Sequence, residues 1–315
     1  MVDNFPDDLC ISTPHVVVCE YFSDTTSLSA TSVTPHITEL SLGYVSDYST
    51  NPPCNSNSTL DPFLFSPVTH LRKQFFYECF TEMKIPFPDF SPLSSRNSTI
   101  EELIFIENPA LYGSISDHLS DLSSLKRFIL TGSNVFDEIP GCLTELVNVE
   151  QLSLSSNKFE GDIPTNFFRK VKDNEDFRFK CKWVSRKIPE NLKGLNKLEF
   201  LDFSYNNFGN FGMPLFLGEM KSLREVHLSG NFLGGQIPEI WENLEGILGI
   251  GLSEMGLVGN IPASMGEHLR NVCYLGHDNN KPEGTVPKEF GTLEFVRELH
   301  LENNNLGGRL LNPLQ

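Results

Sequence analysis

The sequence predicts an α/β repeat solenoid with a parallel β-sheet along one concave face, and two markers that keep phase predict it. The first is an aliphatic phrase closing on asparagine: Leu198-x-x-Leu201-x-Phe203-x-x-Asn206, Leu223-x-x-Val226-x-Leu228-x-x-Asn231, Leu269-x-x-Val272-x-x-Leu275 and Leu299-x-Leu301-x-x-Asn304. The second follows each phrase: Gly161-Asp-Ile163-Pro164, Gly235-Gln-Ile237-Pro238, Gly259-Asn-Ile261-Pro262 and Gly284-Thr-Val286-Pro287. Asn206, Asn231, Met255, Asn280 and Asn304 are spaced 25, 24, 25 and 24 residues apart, and Asn157 keeps the same frame. Upstream, Gly113-Ser-Ile115-Ser116 and Glu138-Ile139-Pro140 hold the register.

Each piece of the unit has a physical task. Alternation in the aliphatic stretch turns the leucines inward and the residues between them outward. The asparagine amide, with donors and an acceptor, satisfies backbone groups of its own turn and of the neighbouring one. Glycine then permits a tight or left-handed turn, and proline ends regular pairing. An aliphatic pattern of this period closing on asparagine is the signature of a leucine-rich repeat. Repeats of this kind stack into one elongated domain whose outward strand positions normally form a binding surface.

Three stretches are predicted: an amino-terminal cap over 1–34, irregular first repeats with a long loop over 35–97, and repeats from 98 to 315 with a degenerate unit at 168–187. Ile37-x-x-Leu40-x-Leu42 is read as the first strand. The loop from Val45 to Pro67 is rich in Ser, Asn and Pro. Leu71-x-x-Gln74-x-Phe76-x-x-Cys79 places a polar residue at an aliphatic position and cysteine at the asparagine position. Ile100-x-x-Leu103-x-Phe105 ends on Asn108, with Pro109 as a one-residue insertion; Leu125-x-x-Phe128-x-Leu130 and Val149-x-x-Leu152-x-Leu154 are regular.

The segment from Arg169 to Lys187 keeps the repeat length, since Ile163 and Ile188 lie 25 apart, but Lys182 and Arg186 replace its asparagine and glycine. Phe177 and Phe179 fall on core positions. Of the 24 basic residues in the chain, Arg169, Lys170, Lys172, Arg178, Lys180, Lys182, Arg186 and Lys187 crowd here. The stretch reads either as a basic docking patch on an acidic protein or as a decayed repeat.

The 315 residues carry a net charge of −17, which argues against nucleic acid or an anionic membrane as partner. No apolar run reaches membrane-span length, so membrane association is expected only through a tail or a partner. The first residues lack the basic and apolar regions of a secretory signal, and the last lack a polar capping repeat; both ends are expected to be truncated. No glycine-rich loop opens a helix, no Cys-x-x-Cys or His-x-x-x-His pair suggests metal, and no set of nucleophile, base and orienting group is specified. The chain is read as a non-enzyme without cofactors. His277 and Pro282 stand at leucine positions, and His277 is expected to be hydrogen-bonded or half exposed.

The Gly-x-Ile-Pro turns, together with Leu198–Met220 and Leu228–Trp241, make the chain similar to plant receptor-like proteins with leucine-rich repeats and no kinase domain. The resemblance runs from the first cysteines to about Gly308 and is tightest over 198–310. It implies a twisted right-handed superhelix, a cell-surface location, and a receptor or co-receptor role in response to a root endophytic fungus or in defence. It also gives Cys10 and Cys19 the place of the paired cysteines that close the amino-terminal end of plant extracellular repeat proteins. Cys54 and Cys79 are candidates for a second bridge, which leaves Cys142, Cys181 and Cys273 over. Asn57-Ser-Thr and Asn97-Ser-Thr are glycan acceptors in a secreted chain.

Partners are expected to be a protein or peptide ligand and a receptor kinase co-receptor. The register puts Phe200, Asp202, Ser204, Tyr205, Glu225, His227, Ser229, Tyr274, Asp278, Glu298, His300 and Glu302 on the concave face as ligand contacts. Exposed aromatics beside carboxylates suit a basic or amphipathic peptide. A secreted inhibitor of a cell-wall-degrading enzyme, such as a polygalacturonase inhibitor, and the ectodomain of a receptor kinase remain as alternatives.

Overall fold

The computed structural model describes residues 10, 16–24, 32–43, 51–60, 69–91, 98–164, 168, 176–178 and 183–308. Two compact units divide the chain, Met1–Lys158 and Phe159–Gln315.

In the first unit the strands are β1 (Val16–Asp24), β2 (Ser32–Leu42), β3 (Lys73–Tyr77), β4 (Ile85–Pro86), β5 (Glu102–Ile106), β6 (Leu111–Gly113), β7 (Arg127–Thr131), β8 (Asn134–Glu138) and β9 (Gln151–Ser153). The main sheet runs β1-β2-β3-β5-β7-β9. From β2 onward its pairs are parallel, as a repeat requires when each strand enters from the same side. β1 pairs antiparallel with β2. The cap therefore contains a strand of its own, and β2 begins at Ser32, ahead of Ile37 where the aliphatic pattern starts. Periodicity could not show this, because one antiparallel hairpin has no repeat. Cys10 is bridged to Cys19, and Cys54 to Cys79. Bridges of this sort contribute about 2–4 kcal/mol, mainly by restricting the unfolded chain. A second narrow sheet, β4-β6-β8, forms from the segments after each turn.

The second unit continues with β10 (Lys158–Gly161), which begins at the boundary, then β11 (Asp176–Arg178), β12 (Trp183–Arg186), β13 (Phe200–Asp202), β14 (Asn207–Phe208), β15 (Glu225–His227), β16 (Gly249–Gly251), β17 (Val258–Gly259), β18 (Tyr274–Gly276), β19 (Lys281–Thr285), β20 (Glu298–His300) and β21 (Asn305–Gly307). Its main sheet is β11-β13-β15-β16-β18-β20, parallel throughout. The strands after each turn pair as β10-β12-β14 and β17-β19-β21.

The returns are short. Extended Pro140, Pro189, Pro214 and Pro287 each precede a single 3-10 turn, and Pro262 precedes α1 (Ala263–His268). The fixed φ of proline suits the residue just ahead of a helical turn, and its missing N–H leaves no donor there to satisfy. One leucine or its equivalent per return (Leu143, Leu192, Leu217, Met265) goes into the core.

The asparagines work in both directions. The amide of Asn280 donates to the carbonyls of Leu252 (2.7 Å) and His277 (3.2 Å), and its Oδ1 accepts from the N–H groups of Met255 and Leu257, both at 3.0 Å. Asn108 does the same for Phe76, Ile106, Cys79 and Phe80. Cys79, which stands where an asparagine is usual, gives its side chain to the bridge with Cys54 while Asn108 satisfies its backbone. Gln74 is buried, and its amide donates to the Leu40 carbonyl at 3.2 Å.

In the unit with the basic run, Phe177 is buried, edge-on to Phe168 at 5.1 Å and to Phe203 at 5.8 Å. Phe179, Lys182 and Cys181 lie outside the described residues, as do Arg169, Lys170, Lys172 and Lys180.

Candidate functional site

Between the leucines that fill the core, alternate residues of each strand stand on the open face of the sheet. In the second unit, register aligns them in rows across the strands. One row is Asp176, Phe200, Glu225, Gly249, Tyr274 and Glu298; the next is Arg178, Asp202, His227, Gly251, Gly276 and His300. Ser204, Ser229, Ser253, Asp278 and Glu302 follow two residues further along.

The twelve residues expected to contact ligand are thus brought onto one face. Tyr205, Glu298 and Glu302 are exposed; Phe200, Asp202, Glu225, His227, Ser229, Tyr274, Asp278 and His300 are half-buried; Ser204 is buried.

The rings form a chain. Phe200 and His227 lie 5.6 Å apart by centroid, His227 and Tyr274 6.1 Å, and Tyr274 and His300 5.9 Å. Carboxylates surround them. Glu225 Oε2 lies 3.2 Å from His227 Nε2, and Glu302 Oε1 lies 3.3 Å from His300 Nδ1. Asp278 accepts from the Ser253 hydroxyl and, at 2.5 Å, from the Asn279 amide. Burial, and after it the charges of Asp278 and Glu298, push the Tyr274 phenol above its ordinary value. A phenolate is disfavoured there because the local field is negative.

Several participants were not read from the sequence. Arg178 belongs to this face: its Nε and Nη2 donate to Asp176 at 2.8 and 3.0 Å, and its guanidinium carbon sits 3.9 Å above the Phe200 ring. Glu254 and Ser253 extend the rows. Gly249, Gly251 and Gly276 give the strands no side chains there, and the flanking Glu225, His227 and Tyr274 lie over them. The glycines were visible as Gly249-x-Gly251 in the frame set by Met255, but an absent side chain draws no attention in a pattern of present ones.

The residue just before each closing position adopts positive φ, as at Ser156, Tyr205, Glu254, Asn279 and Asn303. For a non-glycine residue this costs about 1–2 kcal/mol. It recurs at the same place in successive units, so it is part of the repeat and not a peculiarity of Tyr205.

His277 departs from expectation. It is buried to 2% exposure, and neither ring nitrogen has a hydrogen-bond partner. Burial depresses its pKa from the ordinary 6.5 to about 4. The position is a core position of the repeat, held by Phe203, Leu228, Leu252 and Leu301 in the other units, and no hydrogen-bond partner reaches the ring there. Asn57 is exposed, and its backbone N–H bonds to Asn55 Oδ1; Asn97 lies outside the described residues. Cys142 and Cys273 carry free thiols. Burial first, and then Asp117, push the Cys142 thiol up to about 12, which keeps it protonated and unreactive. Among the described residues, no helix is long and apolar enough to cross a membrane.

The leucine-rich repeat model matches residues 148–169 and 222–244, one copy at the strand closing on Asn157 and one at the strand closing on Asn231. The chain carries leucine-rich repeats and has their fold. It is similar to receptor-like protein 39 of Arabidopsis thaliana, with 26% identity over 82% of this chain and 25% of that protein. Its fold matches a plant peptide hormone receptor, RGFR1, solved in complex with RGF2, at a TM-score of 0.71, with 20% identity over 88% of this chain and 42% of the other. It also matches the Arabidopsis receptor kinase HAESA in complex with the peptide hormone IDA and the co-receptor SERK1, at a TM-score of 0.69 and 19% identity, covering 86% and 47%. The chain spans about a quarter of the length of the receptor-like protein and under half of the solved receptors. Among proteins of known sequence it is similar to plant receptor-like proteins.

Proposed function

We propose that this chain is the ligand-binding repeat domain of a cell-surface receptor-like protein, and that the open sheet face of its second unit takes a protein or peptide. The carrying observation is the chain of rings from Phe200 to His300, set among carboxylates and half exposed. Half-exposed rings on a rigid sheet gain area on binding at small entropic cost, and the acids steer cationic segments toward them. Solved receptors of the same fold hold peptide hormones, which supports the ligand class. The two disulfides and the exposed sequon at Asn57 fit an extracellular location. A role in recognising a root endophytic fungus or a defence elicitor fits the same surface.

The test is a display screen of random peptides run in parallel on the wild-type chain and on the triple variant Tyr205→Ala, Tyr274→Ala, Glu298→Ala. Binders captured by the wild-type chain are expected to fall at least tenfold in affinity on the variant. Binders indifferent to the three substitutions would move the site off this face.

A further inference from the structure

We infer that the Tyr274 ring, laid over the glycine lane of β16 and β18, is an arginine subsite, which stacks the guanidinium of an extended peptide within reach of Glu225 and Glu298. The inference rests on the peptide-binding reading of this face and names what the face selects.

Three observations carry it. The first is shape. Gly249, Gly251 and Gly276 are adjacent in register, have no side chains and are buried, because the side chains around them lie down over the backbone. Glu225 and His227 border it on β15, and Tyr274 borders it on β18. The bordering side chains lean inward. A Cβ at Gly249 would lie 3.3 Å from Glu225 Cγ, one at Gly251 would lie 2.8 Å from His227 Nδ1, and one at Gly276 would overlap the Tyr274 hydroxyl. None of these three glycines has positive φ. Glycine is therefore not required there by the turn of the backbone, and what it provides is room for Glu225, His227 and Tyr274 to lie down on the sheet, which leaves the Tyr274 ring half exposed.

The second is charge. Around the lane stand Glu225, Glu254, Asp278, Glu298 and Glu302; no lysine or arginine stands in the two outward strand rows from β13 to β20, and the exposed Arg224, one residue ahead of β15, pairs with Glu199 at 3.4 Å. Within the rows the carboxylates meet only the imidazoles of His227 and His300. A sheet face with this balance is complementary to a cation.

The third distinguishes guanidinium from ammonium. The chain already holds one guanidinium on this face: Arg178 has its guanidinium carbon 3.9 Å above the Phe200 ring and donates from Nε and Nη2 to the two oxygens of Asp176. A planar, weakly hydrated, fork-shaped cation is what an aromatic face beside a carboxylate accepts best, whereas an ammonium is held by its shell of water. Three strands further along the same row, Tyr274 flanked by Glu298 repeats the pairing of ring and carboxylate, beside the lane, with no cation of the chain's own. Tyr274 is itself half-buried among these groups.

The experiment uses the whole chain and two probes of equal charge, the decapeptides (Gly-Arg)5 and (Gly-Lys)5, with affinity measured by fluorescence anisotropy. The arginine peptide is expected to bind about tenfold more tightly than the lysine peptide. Tyr274→Ala removes most of that preference and Tyr274→Phe keeps it, which separates a lost ring from a disturbed fold. Gly276→Val, which displaces the tyrosine from its place over the glycine, removes it as well. Equal affinity for the two peptides, or a preference that survives Tyr274→Ala, overturns the arginine subsite. If neither decapeptide binds while library peptides still bind in a way the triple variant abolishes, the arginine subsite falls and the peptide-binding reading stands. If library peptides ignore the triple variant, both fall.

Discussion

The open sheet faces of the two units are built on the same backbone and answer their charges differently. In the first unit the outward residues satisfy one another. Lys73 and Arg127 flank Glu102 on neighbouring strands, at 3.8 and 3.0 Å, and Arg127 donates onward to Gln151 at 2.8 Å. Behind that ladder, Phe75, Ile104 and Ile129 align in a second row, the two isoleucines buried. In the second unit the rows carry acids and rings, and Arg178 is the cation at their head. The first face is closed by its own side chains. The second leaves its charge to be answered from outside, which is why the ligand site is proposed there.

The scaffold beneath the two faces is shared, so a scaffold substitution should cost the same in either. Asn108→Ala and Asn280→Ala each orphan buried carbonyl and N–H groups in two turns and should each destabilise by about 3 kcal/mol, read from urea unfolding. A difference of more than about 1 kcal/mol between them would show that the units differ in construction and not only in surface.

Acid should separate the units next. His277 lies below the face of the second unit, neutral, with a pKa of about 4 against 6.5 when exposed. Since the folded value is the lower one, protons favour the unfolded chain. The contribution of neutral His277 is complete above about pH 6.5, drains away as pH falls through that window, and is gone below about pH 4. The interval corresponds to a loss on the order of 3 kcal/mol. Among the described residues of the first unit, the buried unpartnered side-chain atoms are on Gln74, Ser133 and Asn157, none of which titrates. Hydrogen exchange at pH 7 and pH 4.5 should therefore show protection lost first around β16, β18 and β20. His277→Leu should abolish the difference.

The smallest effect bears most directly on the faces themselves. Glu102→Gln leaves Lys73 and Arg127 without their counter-charge and should cost about 1 kcal/mol, less in high salt. Glu298→Gln thins a crowd of like charges and should be neutral or stabilising by up to about 0.5 kcal/mol. Equal costs for the two would end the contrast between a closed and an open face.

Much of this was legible before any coordinates. The strands closing on Asn206, Asn231, Asn280 and Asn304 follow from spacing alone, because leucine and asparagine are each required by a buried position. The outward positions follow from the same register. What spacing could not give was the behaviour of exceptions. The hairpin of β1 and β2 occurs once and has no period. His277 was expected to find a partner, as buried polar groups generally do, and its neighbours supply none. Arg178 read as one of eight clustered cations; only pairing of β11 with β13 shows that it lies over Phe200. The glycine lane was hidden because a pattern search counts side chains, and here the relevant feature is their absence.

The asparagine ladder has a direction. Asn108, Asn231, Asn280 and Asn304 each reach back to the turn before and bond both a carbonyl and an N–H group of it, so those turns are held shut by the unit that follows. Where Met255 stands in the series, nothing reaches back with an amide, although Asn280 still clasps the Met255 turn itself. The Asn231 turn is then joined to the next by strand pairing and by single bonds such as that from the Gly234 N–H to the Met255 carbonyl at 2.9 Å. Pulled from its ends, the second unit has a seam at that missing clasp, and the first strand on its far side is β16, whose glycines floor the lane.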